Sequence, residues 1–361
     1  MHLTANLQKK ITETLIVLYQ SDINRETAVF QDDLTDSTAY LHYGEFDVFN
    51  DAEWQDSMYF FTANQQMGVQ LNKRKMSMAM MLNFQPSEMW WRNSKIYFNE
   101  WSSEMFFQYF RFKAQGKYVF NGYNAGANQV KISYGNLLRD SSKFQWKIQL
   151  VRITQKPSVM AYWHSDITKY QEVIKGKAEL YWHPYNTGLQ ITYRNDKNKA
   201  YLYSDGNFYQ ADGQLLQITL RQPFYYKFAG LDNNLQHNRS LGAFDVYRLP
   251  EWILSSHIFF RYHLFKKKIN FTTGIKVSWF SQAYLNTWNP VYRNYMLQNN
   301  SIQGNYPVLD FLFTAQIKTF KAFVNILHIN DGFTGNNYYL LPQYPVYGRW
   351  FQAGIQWIFL D

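Results

Sequence analysis

Histidines, serines and carboxylates are the residues with which this chain of 361 residues could perform chemistry. His257 and His263 share one side of an alternating segment with Arg261. A ligand or catalytic role needs a third group at fixed geometry, and a nucleophilic serine needs a histidine with an orienting polar group. The sequence singles out no such set. We therefore predict that the protein is not an enzyme and has no catalytic residues.

Cofactor and metal motifs are the next candidates. The chain has no cysteine, which excludes disulfides and thiolate metal sites. The run Asp32-Asp33-Leu34-Thr35-Asp36 lacks the spacing and the distal glutamate of a calcium loop. Gly122-Tyr123-Asn124-Ala125-Gly126 lacks the pattern of a phosphate loop, and we interpret it as a strand-end turn with left-handed glycines. We expect no metal and no cofactor.

Aromatic side chains are abundant in a chain that is polar on average. Phe, Tyr and Trp form 19% of the residues, while the mean hydropathy is −0.44. A barrel in a membrane combines these properties, because it has aromatic girdles, an apolar outer band and a polar lumen. Trp90-Trp91, Trp101 and Tyr338-Tyr339 are candidates for such a girdle, and sugar-stacking platforms are the alternative interpretation.

Apolar and polar residues alternate with a period of two, which predicts strands with two unlike faces. The clearest segments are 269–279, 309–318 and 351–359. We expect one set of their side chains to face lipid and the intervening set to face inward. The outward set is Phe271, Ile275, Val277, Phe311, Phe313, Ile317, Phe351 and Ile355, and the inward set is Asn270, Thr272, Lys276, Thr314, Gln316, Gln352 and Gln356.

The connections between these segments alternate in length. Short turns lie at 183–187, 265–268 and 319–321, and long polar stretches cover roughly 223–254, 281–305 and 331–347. Short periplasmic turns and long extracellular loops are typical of outer-membrane barrels, whose strands need roughly 9–11 residues to cross a bilayer.

These patterns predict an all-β fold, an antiparallel transmembrane β-barrel of about 14 strands (range about 12–16). The chain shows no linker and no break in composition, so we expect a single barrel domain over 1–361. The acidic stretch 21–57 is weakly patterned, and we expect it to form a long loop or a lumen segment.

Charged and amide side chains fall on the inward positions of the predicted strands. Their excess of lysine and arginine has the same sign as the net charge of +9. A cationic lumen attracts anions and sets passive selectivity. The residues expected to line the lumen are Lys177, Glu179, Gln190, Arg194, Arg261, Lys276, Asp310, Gln316 and Lys318.

The N-terminus bears on localisation. No stretch approaches the roughly 18 consecutive apolar residues of a transmembrane helix. Residues 1–10 are not followed by the apolar core of a signal peptide. Since a protein of the bacterial outer membrane must be exported, we expect that the sequence is N-terminally truncated or has a mis-assigned start.

The C-terminal third carries a resemblance to a known family. Its motifs occur in this order: Thr287-Trp288-Asn289-Pro290, Gly304-Asn305-Tyr306-Pro307-Val308-Leu309-Asp310-Phe311, His328-Ile329-Asn330, Tyr344-Pro345-Val346-Tyr347-Gly348-Arg349 and Gly354-Ile355-Gln356-Trp357-Ile358-Phe359. They resemble the putative-porin family of Bacteroidetes-type outer membranes, most closely over about 255–361 and more loosely over 100–250. The resemblance implies a barrel and brings no catalytic residues.

The sequence therefore predicts a porin-like passive diffusion channel for small polar or anionic solutes, in contact with outer-membrane lipid and lipopolysaccharide. A plugged structural or assembly-partner barrel is the main alternative, favoured by large inward residues such as Phe259 and Tyr181. A soluble carbohydrate-binding β protein would instead place polar residues on its exposed faces, and an outer-membrane enzyme is the third alternative. Basic residues are scattered singly, which argues against nucleic-acid binding.

Overall fold

Antiparallel strands dominate the computed structural model, which describes residues 2–33, 53–91, 94–136, 143–165, 167–242, 244–265, 268–289, 292–333, 338–342 and 344–357. The strands are β1 His2–Lys10, β2 Leu15–Asp33, β3 Glu53–Lys73, β4 Met76–Trp91, β5 Ser94–Tyr109, β6 Phe112–Val119, β7 Asn128–Gly135, β8 Phe144–Gln155, β9 Gln171–Trp182, β10 Thr187–Tyr203, β11 Phe208–Tyr226, β12 Ala229–Ser240, β13 Trp252–Leu264, β14 Ile269–Phe280, β15 Thr287–Asn289, β16 Asn294–Leu297, β17 Val308–Ile317, β18 Phe320–Leu327, β19 Tyr339–Leu341, β20 Tyr344–Pro345 and β21 Trp350–Trp357. A helix, α1 Val159–Ser165, and a 3₁₀ turn, His183–Tyr185, interrupt them.

The sheet follows the chain. Each strand from β1 to β14 pairs antiparallel with the next, and β17, β18 and β21 continue the series. With the short hairpin β15–β16 the sheet has 19 strands, and β19 and β20 form a separate pair. Within the described residues, β1 pairs with β2 alone and β21 with β18 alone.

The predicted number of strands was too low, and β12 shows why. It lies inside the range 223–254, which we expected to be a loop, and its polar face carries Asp232, Asn234, Gln236 and Asn238. Backbone hydrogen bonds to β11 and β13 hold it regardless of hydropathy, so a strand with little apolar contrast escapes a periodicity test.

The range 21–57 is the other departure from expectation. Its first part, 21–33, belongs to β2, and its last part, 53–57, belongs to β3, where the two strands pair. The intervening residues 34–52 lie outside the described part of the chain.

Short turns lie at one edge of the sheet, as expected, but the alternation with long connections is not uniform, because four residues, 204–207, join β10 to β11 at the other edge. Tight turns join β3 to β4, β5 to β6, β11 to β12 and β17 to β18, and residues with positive φ occupy them: Arg74, Phe110, Lys227 and Lys318. We call this edge of the sheet the turn end. The longer connections, including 241–251 and 281–307, lie at the opposite edge, which we call the loop end.

The in-register pairing gives the sheet two unlike faces. The polar face carries the inward set of β14, β17 and β21, and the apolar face carries the outward set. On β8, Ile148 and Leu150 of the apolar face are 51% and 57% exposed, whereas Gln149 between them is half-buried. A sheet folded in water buries its apolar face, so this inverted exposure is the pattern typical of strands in outer-membrane barrels.

Among the described residues, no helix is long and apolar enough to cross a bilayer.

Phe259 is the large side chain most closely packed on the polar face, at 2% exposure. It lies between Gly230 of β12 and Gly274 of β14, its direct partners across the sheet. A methyl group at Gly230 would overlap the Phe259 ring, and one at Gly274 would lie 2.7 Å from the Phe259 Cβ. The two glycines therefore make the space that the ring fills.

We expect Gly274→Ala to lower the free energy of unfolding by about 1–3 kcal/mol, since the added methyl must displace Phe259 or the strand backbone. Gly188→Ala on the polar face of β10 is the matched control, because its methyl would meet only Tyr181 at 3.6 Å and Arg221 at 3.9 Å, which are ordinary contacts. Urea titrations of both variants in lipid vesicles test this. An equal loss of stability in the two would contradict the packing described for Phe259.

Candidate functional site

The polar face gathers eight of the nine residues predicted to line a lumen. Lys177 and Glu179 lie on β9, Gln190 and Arg194 on β10, Arg261 on β13, Lys276 on β14, and Asp310 and Gln316 on β17. Cross-strand pairing brings several of them together: Glu179 pairs with Gln190, and Lys276 pairs with Asp310.

Lys318 is the exception, and its prediction as a strand residue was wrong. β17 ends at Ile317, and Lys318 takes a left-handed backbone conformation with φ of 48°. A residue in this conformation reverses the chain, so Lys318 belongs to the turn between β17 and β18.

Carboxylates engage several of the predicted cations. The Lys177 Nζ lies 2.6 Å from the Glu179 carboxylate, and the Arg194 Nε lies 2.8 Å from the Asp196 carboxylate. Asp196 is 1% exposed and also accepts a hydrogen bond from the Tyr247 hydroxyl at 2.9 Å. The site prediction did not include Asp196, although its alternate spacing from Arg194 was a usable signal.

A denser cationic region lies on the polar face of β6 to β9. Glu179 is the one acidic residue on the polar positions of these four strands, and Glu104 of β5 pairs with Lys117 across the sheet. We call this region the lysine stripe, and it consists of Lys113, Lys117, Lys131, Lys147, Lys175 and Lys177. The prediction included only Lys177, and the pairing of β6 to β9 shows that the other five lysines face the same side of the sheet.

The loop end carries a structured crossing. The β15–β16 hairpin lies between β14 and β17 in sequence, yet β16 pairs parallel with the end of β10, Met296 opposite Leu202. Strands β11, β12 and β13 separate β10 from β14 in the sheet. The hairpin therefore extends past the loop ends of these strands.

Buried polar contacts stiffen this crossing. The Gln298 side chain donates to the carbonyl oxygens of Leu285 and Ser301 at 2.7 and 2.8 Å, and its own carbonyl oxygen accepts from the backbone N–H groups of Asn300 and Ser301. A buried amide with its hydrogen bonds satisfied favours one loop conformation. The hairpin is thus a defined element of the loop end.

Aromatic and polar contacts attach the hairpin to β10 and β11. The Tyr292 ring packs edge-on against Phe208, with centroids 5.7 Å apart. Asn299 donates to the Tyr203 hydroxyl at 3.0 Å and accepts from the Arg248 guanidinium at 2.7 Å. These contacts hold the hairpin against the loop ends of β10 and β11.

The glycine-bracketed turn 122–126 lies at the loop end, and its glycines are left-handed as predicted, with φ of 89° at Gly122 and 86° at Gly126. Glu100 accepts two hydrogen bonds from Asn124, both 2.8 Å. The Tyr123 hydroxyl donates to the Pro157 carbonyl oxygen at 2.9 Å. Burial raises the pKa of Tyr123 to about 12, so its hydroxyl remains a donor at alkaline pH values where an ordinary tyrosine ionises.

The structure shows where two of the aromatic residues predicted to form a girdle lie. Trp90 and Trp101 lie on the apolar face near the loop end, each close to half exposed. The Lys95 ammonium lies 4.0 Å from the Trp90 ring centroid. An amphipathic ring beside a cation suits the boundary between lipid and water.

Solved structures of transport proteins share this fold. The chain aligns with the copper transporter OprC with a TM-score of 0.66 and 11% identity, covering 99% of this chain and 65% of that one. The pyoverdine outer membrane receptor FpvA from Pseudomonas aeruginosa aligns with a TM-score of 0.60 and 13% identity, over 99% of this chain and 61% of that one. The FrpB iron transporter from Neisseria meningitidis aligns with a TM-score of 0.62 and 10% identity, over 99% of this chain and 62% of that one.

The chain spans less than two thirds of the length of these structures. No curated protein sequence matches it significantly. The family described as "Putative porin" matches residues 3–361, essentially the whole chain. The chain therefore belongs to the putative-porin family.

Proposed function

We propose that the sheet closes into a transmembrane barrel and conducts small polar solutes passively along its polar face. The observation that carries this proposal is the inverted exposure of the two faces, apolar side chains outward and polar side chains crowded on the other side. Closure would satisfy the free edges of β1 and β21, since an open edge within the hydrocarbon leaves backbone groups without partners. Lipid and lipopolysaccharide would contact the apolar face.

The lysine stripe supports a preference for anions. Lys131 and Lys147 face the same side as Lys177, and Glu179 is the one carboxylate on the polar positions of β6 to β9. A wall of one sign raises the local concentration of the opposite ion, and added salt weakens this effect in a wide, wet pore. The transported solutes would then be small and polar, with anions favoured.

We expect Lys131→Glu combined with Lys177→Glu to shift the selectivity of the channel from anions toward cations. The measurement is the reversal potential across a planar bilayer under a KCl gradient. Lys227→Glu combined with Lys318→Glu makes the same charge change in the turns after β11 and β17, and we expect it to leave the reversal potential nearly unchanged.

Cation preference in the unmodified protein would reject the cationic wall. An unchanged reversal potential in the double variant would show that the loop end, not the lysine stripe, sets the selectivity.

A plugged structural barrel is the second candidate function. The β15–β16 hairpin at the loop end and the buried Phe259 ring favour it, because both reduce the open cross-section. Liposome swelling separates the two candidates: entry of small sugars supports the channel, and its absence in a folded, heat-modifiable sample supports the plugged barrel.

A further inference from the structure

A cavity of about 500 Å³ opens on the polar face at the turn end of the sheet. Three hairpins meet there, β3–β4, β5–β6 and β7–β8. Its basic lining residues are Arg74, Lys75, Arg111, Lys113 and Lys147. None of these five belonged to the lumen set predicted from the sequence.

The charge of this cavity is uncompensated within the described part of the chain. Five cations line it, and no lining residue is an aspartate or glutamate. The ion pairs of the described residues use other cations: Lys95, Arg152, Lys177 and Arg194. Like charges held together raise the energy of the folded state, and a bound anion would relieve that repulsion.

The cations are held in place by the turn. The Lys75 Nζ lies 5.4 Å and the Arg111 guanidinium carbon 5.1 Å from the centre of the same Phe110 ring. Phe110 takes a left-handed conformation, and its N–H donates to the Lys75 carbonyl oxygen at 3.0 Å. The ring therefore positions two cations from neighbouring hairpins beside each other.

One hydrogen-bond donor of the cavity has no partner among the described residues. The Arg111 Nε is buried and has no hydrogen-bond partner. The side-chain amide oxygen of Asn72 already accepts hydrogen bonds from the Gln70 side chain at 2.9 Å and from the Ser77 hydroxyl at 2.7 Å. A buried guanidinium donor without an acceptor is costly, and an oxyanion supplies the missing acceptor.

We propose that this cluster, hereafter the turn-end basic site, binds a phosphate-type oxyanion that carries more than one negative charge. Guanidinium and ammonium groups in one cavity are the groups that proteins use for phosphates. The volume is ample for a pyrophosphate or for the phosphate end of a larger solute. The binding itself rests on the cavity alone, while its place at the periplasmic mouth rests on the proposed function.

The site differs from the general attraction of a cationic wall. A diffuse field enriches all anions in proportion to their charge and saturates with none of them. A built site binds one oxyanion per chain and distinguishes a phosphate from a carboxylate of equal charge through the geometry of its donors.

The test is titration calorimetry on the full chain in a neutral detergent at low ionic strength, with inorganic pyrophosphate as the probe. We expect saturable binding at one site per chain, weakened at least about tenfold in the double variant Arg111→Gln, Lys113→Gln. The double variant Arg221→Gln, Lys321→Gln removes the same charges from the polar face near the turn end, outside the cavity, and should bind like the unmodified protein.

Citrate and inorganic phosphate titrations complete the test. Citrate binding as tight as pyrophosphate binding, equal losses in the two double variants, or no saturation would each overturn the proposal. Lys147→Gln provides a second variant should the first fail to fold, as judged by heat-modifiable migration, and should also weaken binding. Conductance is not the readout, so a chain that binds pyrophosphate without conducting would refute the channel and leave the site standing.

Discussion

Replacing residues 287–297 by a short glycine-serine linker should raise the single-channel conductance by roughly two- to threefold, because the narrowest part of a pore limits the current. The deleted segment contains β15 and β16, and its β16 strand reaches the edge of β10 past three intervening strands. Planar-bilayer recordings in KCl provide the measurement. If the chain is a plugged barrel, the same deletion should produce conductance where the unmodified protein has none.

A point variant separates the position of the hairpin from its mere presence. Tyr292→Ala removes the ring that packs on Phe208 but leaves the β16 pairing with β10 in place. We expect this variant to fluctuate between conductance levels with a mean between those of the unmodified and deleted forms. Unchanged conductance in a folded deletion variant would show that the constriction lies elsewhere, along the polar face.

The alternation of side chains predicted the faces of the C-terminal strands well. Phe311 and Phe313 lie on one face and Thr314 on the other, as expected from the sequence. This succeeds because the side-chain period of a strand is fixed by backbone geometry. A local pattern of nine or ten residues then carries the full information about facing.

The number of strands and the residues at which strands end were harder to predict from the sequence. β12 has the hydrogen bonds of a strand with little of its apolar contrast, and Lys318 continues the polar alternation of β17 although the backbone has already turned. On β10, a bulge between Asp196 and Lys199 shifts the register and breaks the simple alternation. Hydropathy does not record these backbone events.

The candidate sites depend on contacts between distant parts of the chain. The lysine stripe gathers residues from four strands, and the turn-end basic site gathers Arg74, Arg111 and Lys147 from three hairpins. The pairing of Met296 with Leu202 joins segments more than ninety positions apart. Each residue is unremarkable within its own segment, and only the order of the strands brings the charges together.

The second large expected effect is a difference in the free energy of unfolding between arginine substitutions on the two faces of the sheet. Phe313 lies in the middle of β17 on the apolar face, where its ring packs 5.8 Å from that of Phe271. Phe313→Arg should lower the free energy of unfolding in lipid by about 2–4 kcal/mol, since a guanidinium near the bilayer midplane is costly. Thr314 is the next residue at the same depth, on the polar face opposite Thr272.

Thr314→Arg should cost less than about 1 kcal/mol, because a side chain directed into a wet lumen keeps its hydration. Phe313→Ala measures the loss of ring packing alone and should fall between the two arginine variants in its effect on stability. Urea titrations in vesicles of one lipid composition give all three values. If the two arginine variants lose the same stability, the apolar face does not meet lipid, and the barrel proposed for this chain is untenable. If only Phe313→Arg is strongly destabilised and the ordering holds, the assignment of faces extends through register to every strand paired with β17, because each cross-strand pair lies on one side of the sheet.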